Sequence, residues 1–153
     1  MTSIRRSTEI ATTAHDLFEF HANVDNLPAI TPPFPPFKLL SEPKRAAAGD
    51  IQLLRLGWSR LGVTWTARVE RVVQDRLTED VQVSGPFLRW RHQHQFADAG
   101  PGMAVLTDVV AFRLLPTPVG EFIEYFTVRP FILGLFRYRH RKTRALLEHH
   151  NRT

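Results

Sequence analysis

The sequence contains no cysteine. That excludes disulfide staples and thiolate chemistry, and it fits a reducing compartment. The opening residues, MTSIRRSTEI, lack the apolar run of a signal peptide. No segment reaches the ~18 consecutive apolar residues of a membrane span; FILGLF is short and runs into charges. A cytoplasmic location is therefore expected. Also missing are a Gly-rich phosphate loop, a G-x-S-x-G elbow and an H-E-x-x-H pair. Serine is scarce near any histidine, which disfavours nucleophilic hydrolysis. No helix-turn-helix, zinc-finger or RNA-module motif occurs. There is no internal repeat and no flexible linker, so the 153 residues are expected to form one domain, 1–153.

What is present is an ordinary globular composition, 43% hydrophobic, too apolar for a disordered chain. Twenty Lys and Arg face fifteen acids, for a formal charge of +5 and a pI near 10.4. Such a surface favours anionic partners non-specifically. The excess concentrates in RYRHRKTR, from Arg137 to Arg144, which has no acid. A solvated helix face is the commoner source of such a run, but aromatics among arginines can also meet phosphates and bases. Without a recognition motif, specific nucleic-acid binding is not expected. Transient contact with an anionic membrane through Arg137, Arg139, Arg141, Lys142 and Arg144 is the remaining expectation of this kind. Monomer and homodimer both stay open.

SIRRSTEI, with Ile4, Arg6, Thr8 and Ile10 on one face, predicts a strand. Thr13 can cap a following helix, with Asp16 three residues on. Pro28 interrupts it, which predicts two short helices. TPPFPPFK is a stiff extended loop. Its Phe34 and Phe37 either plug the core edge or form a rim over a pocket. Six strand signals follow between Phe37 and Leu115, joined by short turn-like links such as SRLG. In VTWTARVE, Val63, Trp65, Ala67 and Val69 share the covered face. In GPFLRWRHQHQF, Leu88, Trp90, His92, His94 and Phe96 alternate with Arg89, Arg91, Gln93 and Gln95. From about Thr127 the tail reads as a helix, with Phe131, Leu135, Tyr138 and Leu146 roughly on one stripe beside Ile132 and Phe136. TPVGEFIEYF forms either a separate short helix or an edge strand. The whole predicts an α+β fold. An antiparallel sheet of about six to seven strands curves around a long C-terminal helix, with two short helices after the first strand.

This order, with AHDLFEF, DNLPAITPP, VSGPFLRWRHQHQF, LTDVVAFRL and FRYRHRKT, resembles the START-like or SRPBCC (helix-grip) superfamily, and especially its small bacterial ligand-binding members. The resemblance covers essentially the whole chain. It implies a deep cavity between sheet and terminal helix. Relatives bind lipids, sterols, plant hormones or polyketides, and some are polyketide aromatase/cyclases. Fold alone does not settle function.

The H-x-H spacing puts His92 and His94 on one face, ~7 Å apart along the strand. They could share a metal, but a metal needs about two further ligands, of which Asp108 is one candidate. No metal and no cofactor are expected. The preferred reading makes both histidines polar wall residues. Asp108 shares a face with Leu106, Val110, Phe112 and Leu114. A buried aspartate there would pair with His92 or His94 and raise the ring's pKa; the alternative face, carrying Val105, Val109 and Ala111, is nearly as apolar. Arg55 either enters the cavity to bind an anionic oxygen or lies outside. Trp58, Trp65 and Trp90 supply large walls with one donor each. The candidate ligand-binding residues are therefore Arg55, Trp58, Trp65, Trp90, His92, His94, Asp108, Phe112, Phe131 and Leu135. The expected function is binding of a small hydrophobic or amphipathic ligand. A cyclase or dehydratase is the enzyme alternative. In it His92, His94 or Asp108 is catalytic, an imidazole acts as general base, and Arg55 or a Trp nitrogen stabilises an enolate.

Overall fold

A computed structural model of the chain describes residues 1–58 and 60–151. Ser59 of the SRLG link lies outside the described residues. Strand β1 (Thr2–Ile10) leads into helix α1 (Ala14–Ala22), a short 3-10 turn (Val24–Asn26) and α2 (Leu27–Ile30). Thr13 caps α1 by accepting from the Asp16 amide at 3.0 Å, as the sequence implied. Pro28 occupies the first turn of α2, where its missing N–H costs nothing.

Six strands follow: β2 (Phe37–Leu39), β3 (Ile51–Leu56), β4 (Val63–Val73), β5 (Leu77–Ser84), β6 (Arg89–Asp98) and β7 (Ala104–Arg113). They form one seven-stranded sheet in the order β1-β7-β6-β5-β4-β3-β2. Neighbouring strands pair antiparallel. β1 pairs with β7 at one edge of the sheet and β2 forms the other edge, so the segment carrying α1 and α2 spans from one edge to the other. Ile4 and Ile10 are buried, and so are Ala67 and Val69. Val63 is 43% exposed at the sheet end, so the covered face of β4 starts later than expected. Leu88 precedes β6 and is 58% exposed. Phe87 takes the inward place instead, with its ring centroid 5.0 Å from Trp90.

The terminal helical segment starts earlier than Thr127. Thr117 caps α3 (Pro118–Ile123), which continues through a π-helical turn (Glu124–Val128) into α4 (Arg129–His150). The fully buried Glu124 anchors this junction, accepting from Thr2 Oγ1 and the Leu114 amide, each at 2.6 Å. The buried stripe of α4 is Ile132, Phe136, His140, Thr143 and Leu147. It is rotated from the expected stripe, because Phe131 and Leu146 are 59% and 43% exposed. His140 completes a 4-4-3-4 spacing that a purely apolar count skips. At one end of the molecule Ile10, Leu17, Phe18, Phe96 and Leu106 pack under α1. At the other, Ile4, Val110 and Phe112 pack against Ile132 and Phe136 of α4. The cavity opens between this second core and a third cluster formed by Val24, Ala46 and Val69.

Candidate functional site

The cavity has a volume of about 550 Å³, a size that suits a small organic ligand. One wall is aromatic. Trp65 and Trp90 meet edge to face with centroids 4.9 Å apart. Phe87 packs 5.6 Å from Trp65 and 5.6 Å from Phe112. Leu54, Leu56, Ala67 and Val69 extend this wall along β3 and β4. From α4, Phe131, Leu135 and Phe136 close the opposite side. Phe34 and Phe37 of the proline loop also line the space. Phe34 is 69% exposed and packs on Trp58, at 5.5 Å, so this pair forms the rim.

The other end of the cavity is polar, and β-sheet register builds it. His94 lies directly opposite Asp108 across β6 and β7, and His92 lies two residues away on the same face. His92 Nε2 is 2.8 Å from Asp108 Oδ1, both groups buried. His94 Nδ1 comes to 2.6 Å from the same oxygen, an ion-pair contact without hydrogen-bond alignment. The second oxygen, Oδ2, is hydrogen-bonded to His140 Nε2 from α4. One buried carboxylate thus ties β7 to β6 and to the terminal helix. On the cavity side of the rings, Asp80 of β5 sits opposite His92 with its Oδ1 3.6 Å from His92 Nδ1. His21 of α1 donates from Nδ1 to the Leu17 carbonyl at 2.9 Å, and its ring lies 5.2 Å from that of His94. Arg139 enters from α4, its guanidinium 5.9 Å from the Phe136 ring centroid and its Nη2 donating to Thr31 Oγ1 at 3.5 Å.

Burial sets the charge states. It pushes the His21 imidazole down to about 3, with His94 adding to the effect. His94 is also lowered, first by burial and then by His92 beside it. Burial alone would raise the Asp108 carboxyl, but His94 and the hydrogen bonds from His140 and His92 hold it well below the usual carboxylate range. Asp80 has weaker compensation: burial raises it to about 6 against the pull of His94 and Arg139. Arg139 is lowered by burial, with Asp108 and Asp80 opposing. The site is a desolvated cluster with one firmly ionised carboxylate at its centre.

Of the residues singled out from sequence, Trp65, Trp90, His92, His94, Phe131 and Leu135 line the cavity. Asp108 pairs inward behind the histidines, and the buried Phe112 backs the aromatic wall. Arg55 does not reach the cavity. Gln52, Leu54 and Leu56 take the inward positions of β3, so alternation turns Arg55 outward, where its Nη1 donates to Thr64 Oγ1 at 3.2 Å. Trp58 stays at the rim, 56% exposed. Sequence reasoning missed His21, Asp80, Phe87, Arg139 and His140. For His140 the signal was its place on the Ile132–Phe136 stripe. For Asp80 it was alternation with Thr78 in TEDVQV, which puts both on the face opposite Glu79.

A curved antiparallel sheet gripping one long helix around an internal cavity defines a START-like, helix-grip protein. The sequence model described as polyketide cyclase / dehydrase and lipid transport matches residues 10–132. The chain belongs to that family. Among solved structures it is similar to a norcoclaurine synthase point mutant from Thalictrum flavum in complex with a transition-state analogue. Identity there is 16%, coverage 98% of this chain and 96% of that one, and the TM-score 0.73. A START superfamily protein from Mycobacterium smegmatis matches at 15% identity over 94% and 98% of the two chains, with a TM-score of 0.67. TTHA0849 from Thermus thermophilus matches at 11% identity over 95% and 99%, with a TM-score of 0.70. These likenesses establish the fold. A comparison with curated proteins returned no match to the sequence. Among the described residues no helix is long and apolar enough to cross a membrane.

Proposed function

We propose that the protein binds a small amphipathic molecule inside the cavity. The observation that carries this reading is the division of one cavity into an aromatic wall and a polar base. The ligand's apolar body packs against Trp65, Phe87 and Trp90, where each square ångström removed from water contributes about 25 cal/mol. Its oxygen-bearing end points toward His92, His94, Asp80 and Arg139, and an anionic or hydrogen-bonding oxygen is the group that fits there. The family description, which joins polyketide cyclases with lipid transport, supports the same ligand class. The exposed Phe34 and Trp58 at the rim suit uptake from a membrane surface.

Native mass spectrometry of gently purified protein, followed by extraction of the bound compound, tests this. The expected result is a stoichiometric apolar or amphipathic adduct whose retention falls in a His92→Gln/His94→Gln double variant. A protein that carries no adduct, and whose tryptophan fluorescence does not respond to fatty acids or polyaromatic phenols, would overturn the reading.

One observation favours a second reading, a cyclase or dehydratase. His92 is held by the ionised Asp108 on one side and faces the cavity on the other, which is the arrangement of an oriented general base. In that case His92→Gln abolishes product formation while leaving ligand affinity within a few-fold.

A basic module acting through the terminal helix has less support. Arg139 turns into the cavity, and Arg144 bonds the Glu9 carbonyl at 2.9 Å. Arg137, Arg141 and Lys142 remain on the outer face.

A further inference from the structure

Asp80, His92 and His94 converge more closely than three independent polar wall residues need to. One oxygen of Asp80 and one nitrogen from each imidazole all lie within 4.8 Å of one another. The register explains why: Asp80 is the cross-strand partner of His92, and His94 is the next residue on the same face. The far sides of both rings are occupied. His92 uses Nε2 for Asp108 and turns Nδ1 toward Asp80, 3.6 Å away. His94 directs Nδ1 at the same Asp108 oxygen, which leaves its Nε2. The hydrogen bond from His92 Nε2 to Asp108 sets that ring's orientation and tautomer for a cation at Nδ1, and the Asp108 contact at His94 Nδ1 holds the second ring beside it. All three side chains line the cavity, so further coordination positions open into the ligand space.

We propose that Asp80, His92 and His94 bind one divalent transition-metal cation, with Asp108 orienting the two rings, and that its open positions coordinate an anionic oxygen of the cavity ligand. Only the last clause rests on the ligand-binding reading above. The sequence offered Asp108 as the third ligand. The structure puts Asp108 behind the rings and brings Asp80 from the next strand instead.

The donor chemistry selects the metal class. Two imidazoles and one carboxylate suit zinc(II), cobalt(II) or iron(II), whereas calcium and magnesium prefer oxygen-rich sites. Bonds of about 2.0–2.2 Å place neighbouring donors in a tetrahedral site about 3.3 Å apart. The Asp80–His92 separation of 3.6 Å is already near that value, and the other donor separations, within 4.8 Å, close by side-chain rotation on binding. Charge fits too. Ionised Asp80 and Asp108 with the guanidinium of Arg139 sum to one negative charge. A divalent cation reverses this to one positive charge, which one anionic ligand oxygen neutralises.

A second cluster, His15, Glu19 and Asp75, supplies an internal control. Its donors also lie within 4.8 Å, but Arg45 and Gln74 hold Glu19, and His15 is exposed on the outer surface.

The test is titration of the chelator-treated, dialysed full chain with cobalt(II) chloride, followed by calorimetry and visible absorption. The expected result is saturation at one equivalent with micromolar or tighter affinity and the intense absorption of a low-coordinate site. Asp80→Asn and His94→Gln should each weaken binding by more than the ~10–100-fold typical of losing an outer partner, and His15→Gln should leave it unchanged. Proton NMR of the unaltered chain gives a check free of folding defects, because cobalt must shift the ring protons of His92 and His94. No saturable binding up to millimolar cobalt overturns the proposal. So does binding that survives both cavity variants, or binding lost with His15→Gln. Fluorescence titration of the chelated protein with a fatty acid separates the two readings. Lipid binding without cobalt binding removes the metal alone, and cobalt binding without any lipid or phenol binding removes the ligand reading alone.

Discussion

The two ends of the cavity are built on the same two strands by different physics. At one end Trp90 of β6 and Phe112 of β7 are cross-strand partners and belong to an aromatic wall. Four residues along, His94 and Asp108 are partners in a polar knot. The wall is held by area and shape, so its energy is divided among many weak contacts. The knot is held by one carboxylate that serves three rings, and removing it leaves several buried groups without a partner at once. The wall should therefore degrade gradually under substitution, and the knot should fail abruptly.

Asp108→Ala gives the largest expected effect. Loss of a buried charge partner typically costs about 3–5 kcal/mol, and His92, His94 and His140 are all stranded here. The matched change in the wall, Phe112→Leu, keeps an apolar side chain and loses only part of the ring's contacts, so it should cost about 1–2 kcal/mol. Urea denaturation of both variants measures the contrast. Equal costs would show that the knot is not the keystone of this end.

Acid should find the same asymmetry. His21 sits near about 3 in the fold against an ordinary 6.5, so between those values the unfolded chain binds the extra proton and stability falls as pH drops. His94, also lowered, acts in the same direction. Asp108 is stabilising above its ordinary 3.8 and loses that contribution as pH falls below it. Asp80 opposes them. Raised to about 6 from 3.8, it disfavours the fold as it ionises across that window. Between about pH 6 and 4 the His21 and Asp80 contributions run in opposite directions and largely offset each other, so stability should fall most steeply below pH 4, where the Asp108 contribution is lost. Asp80→Asn removes the opposing group. Its side chain is 24% exposed, toward the cavity, so the gain is discounted to about 1 kcal/mol at pH 7, and it should vanish by pH 4. A urea midpoint that stays flat as pH falls from 4 to 3 would contradict the charge states derived for the knot.

At the wall, Trp90→Ala should act on ligand affinity more than on folding, because Trp90 is only partly buried and its ring faces the cavity. Losing roughly 60 Å² of apolar contact at about 25 cal/mol per Å² weakens binding about 10-fold. Fluorescence or calorimetric titration with whatever ligand is extracted reads this directly. An unchanged affinity would move the ligand's apolar body away from the wall.

The sequence showed the strands well because alternation is a local signal. β1, β4, β6 and β7 follow directly from residues two apart. The pairing of Asp108 with the histidines was half visible, since it needed only the choice of face on β7. His140 and Arg139 were hidden inside a basic run whose average character is solvent-facing, though they sit one residue apart on a helix whose inner edge they share. Asp80 was hidden for another reason. Its partners come from a different strand, and which residues of β5 and β6 stand opposite each other is set by the backbone path of the connection from Gly85 to Leu88. Alternation shows which face Asp80 shares with Thr78 but not which residue of β6 it meets.

Arg55 marks the limit of alternation as a guide. In IQLLRL both faces are apolar, so the sequence leaves its direction undecided. The strand resolves it by packing: Gln52, Leu54 and Leu56 face the cavity, and Arg55 reaches Thr64 across β3 and β4 on the outer face. This yields the smallest predicted effect. Arg55→Ala should change stability by no more than about 0.5 kcal/mol and leave ligand affinity untouched, whereas Leu54→Ala, one residue earlier, should weaken binding measurably. Parallel titration of the two variants decides the register of this strand in solution. If Arg55→Ala is the one that loses the ligand, β3 presents its other face to the cavity, and the wall must be redrawn from Leu53 and Arg55.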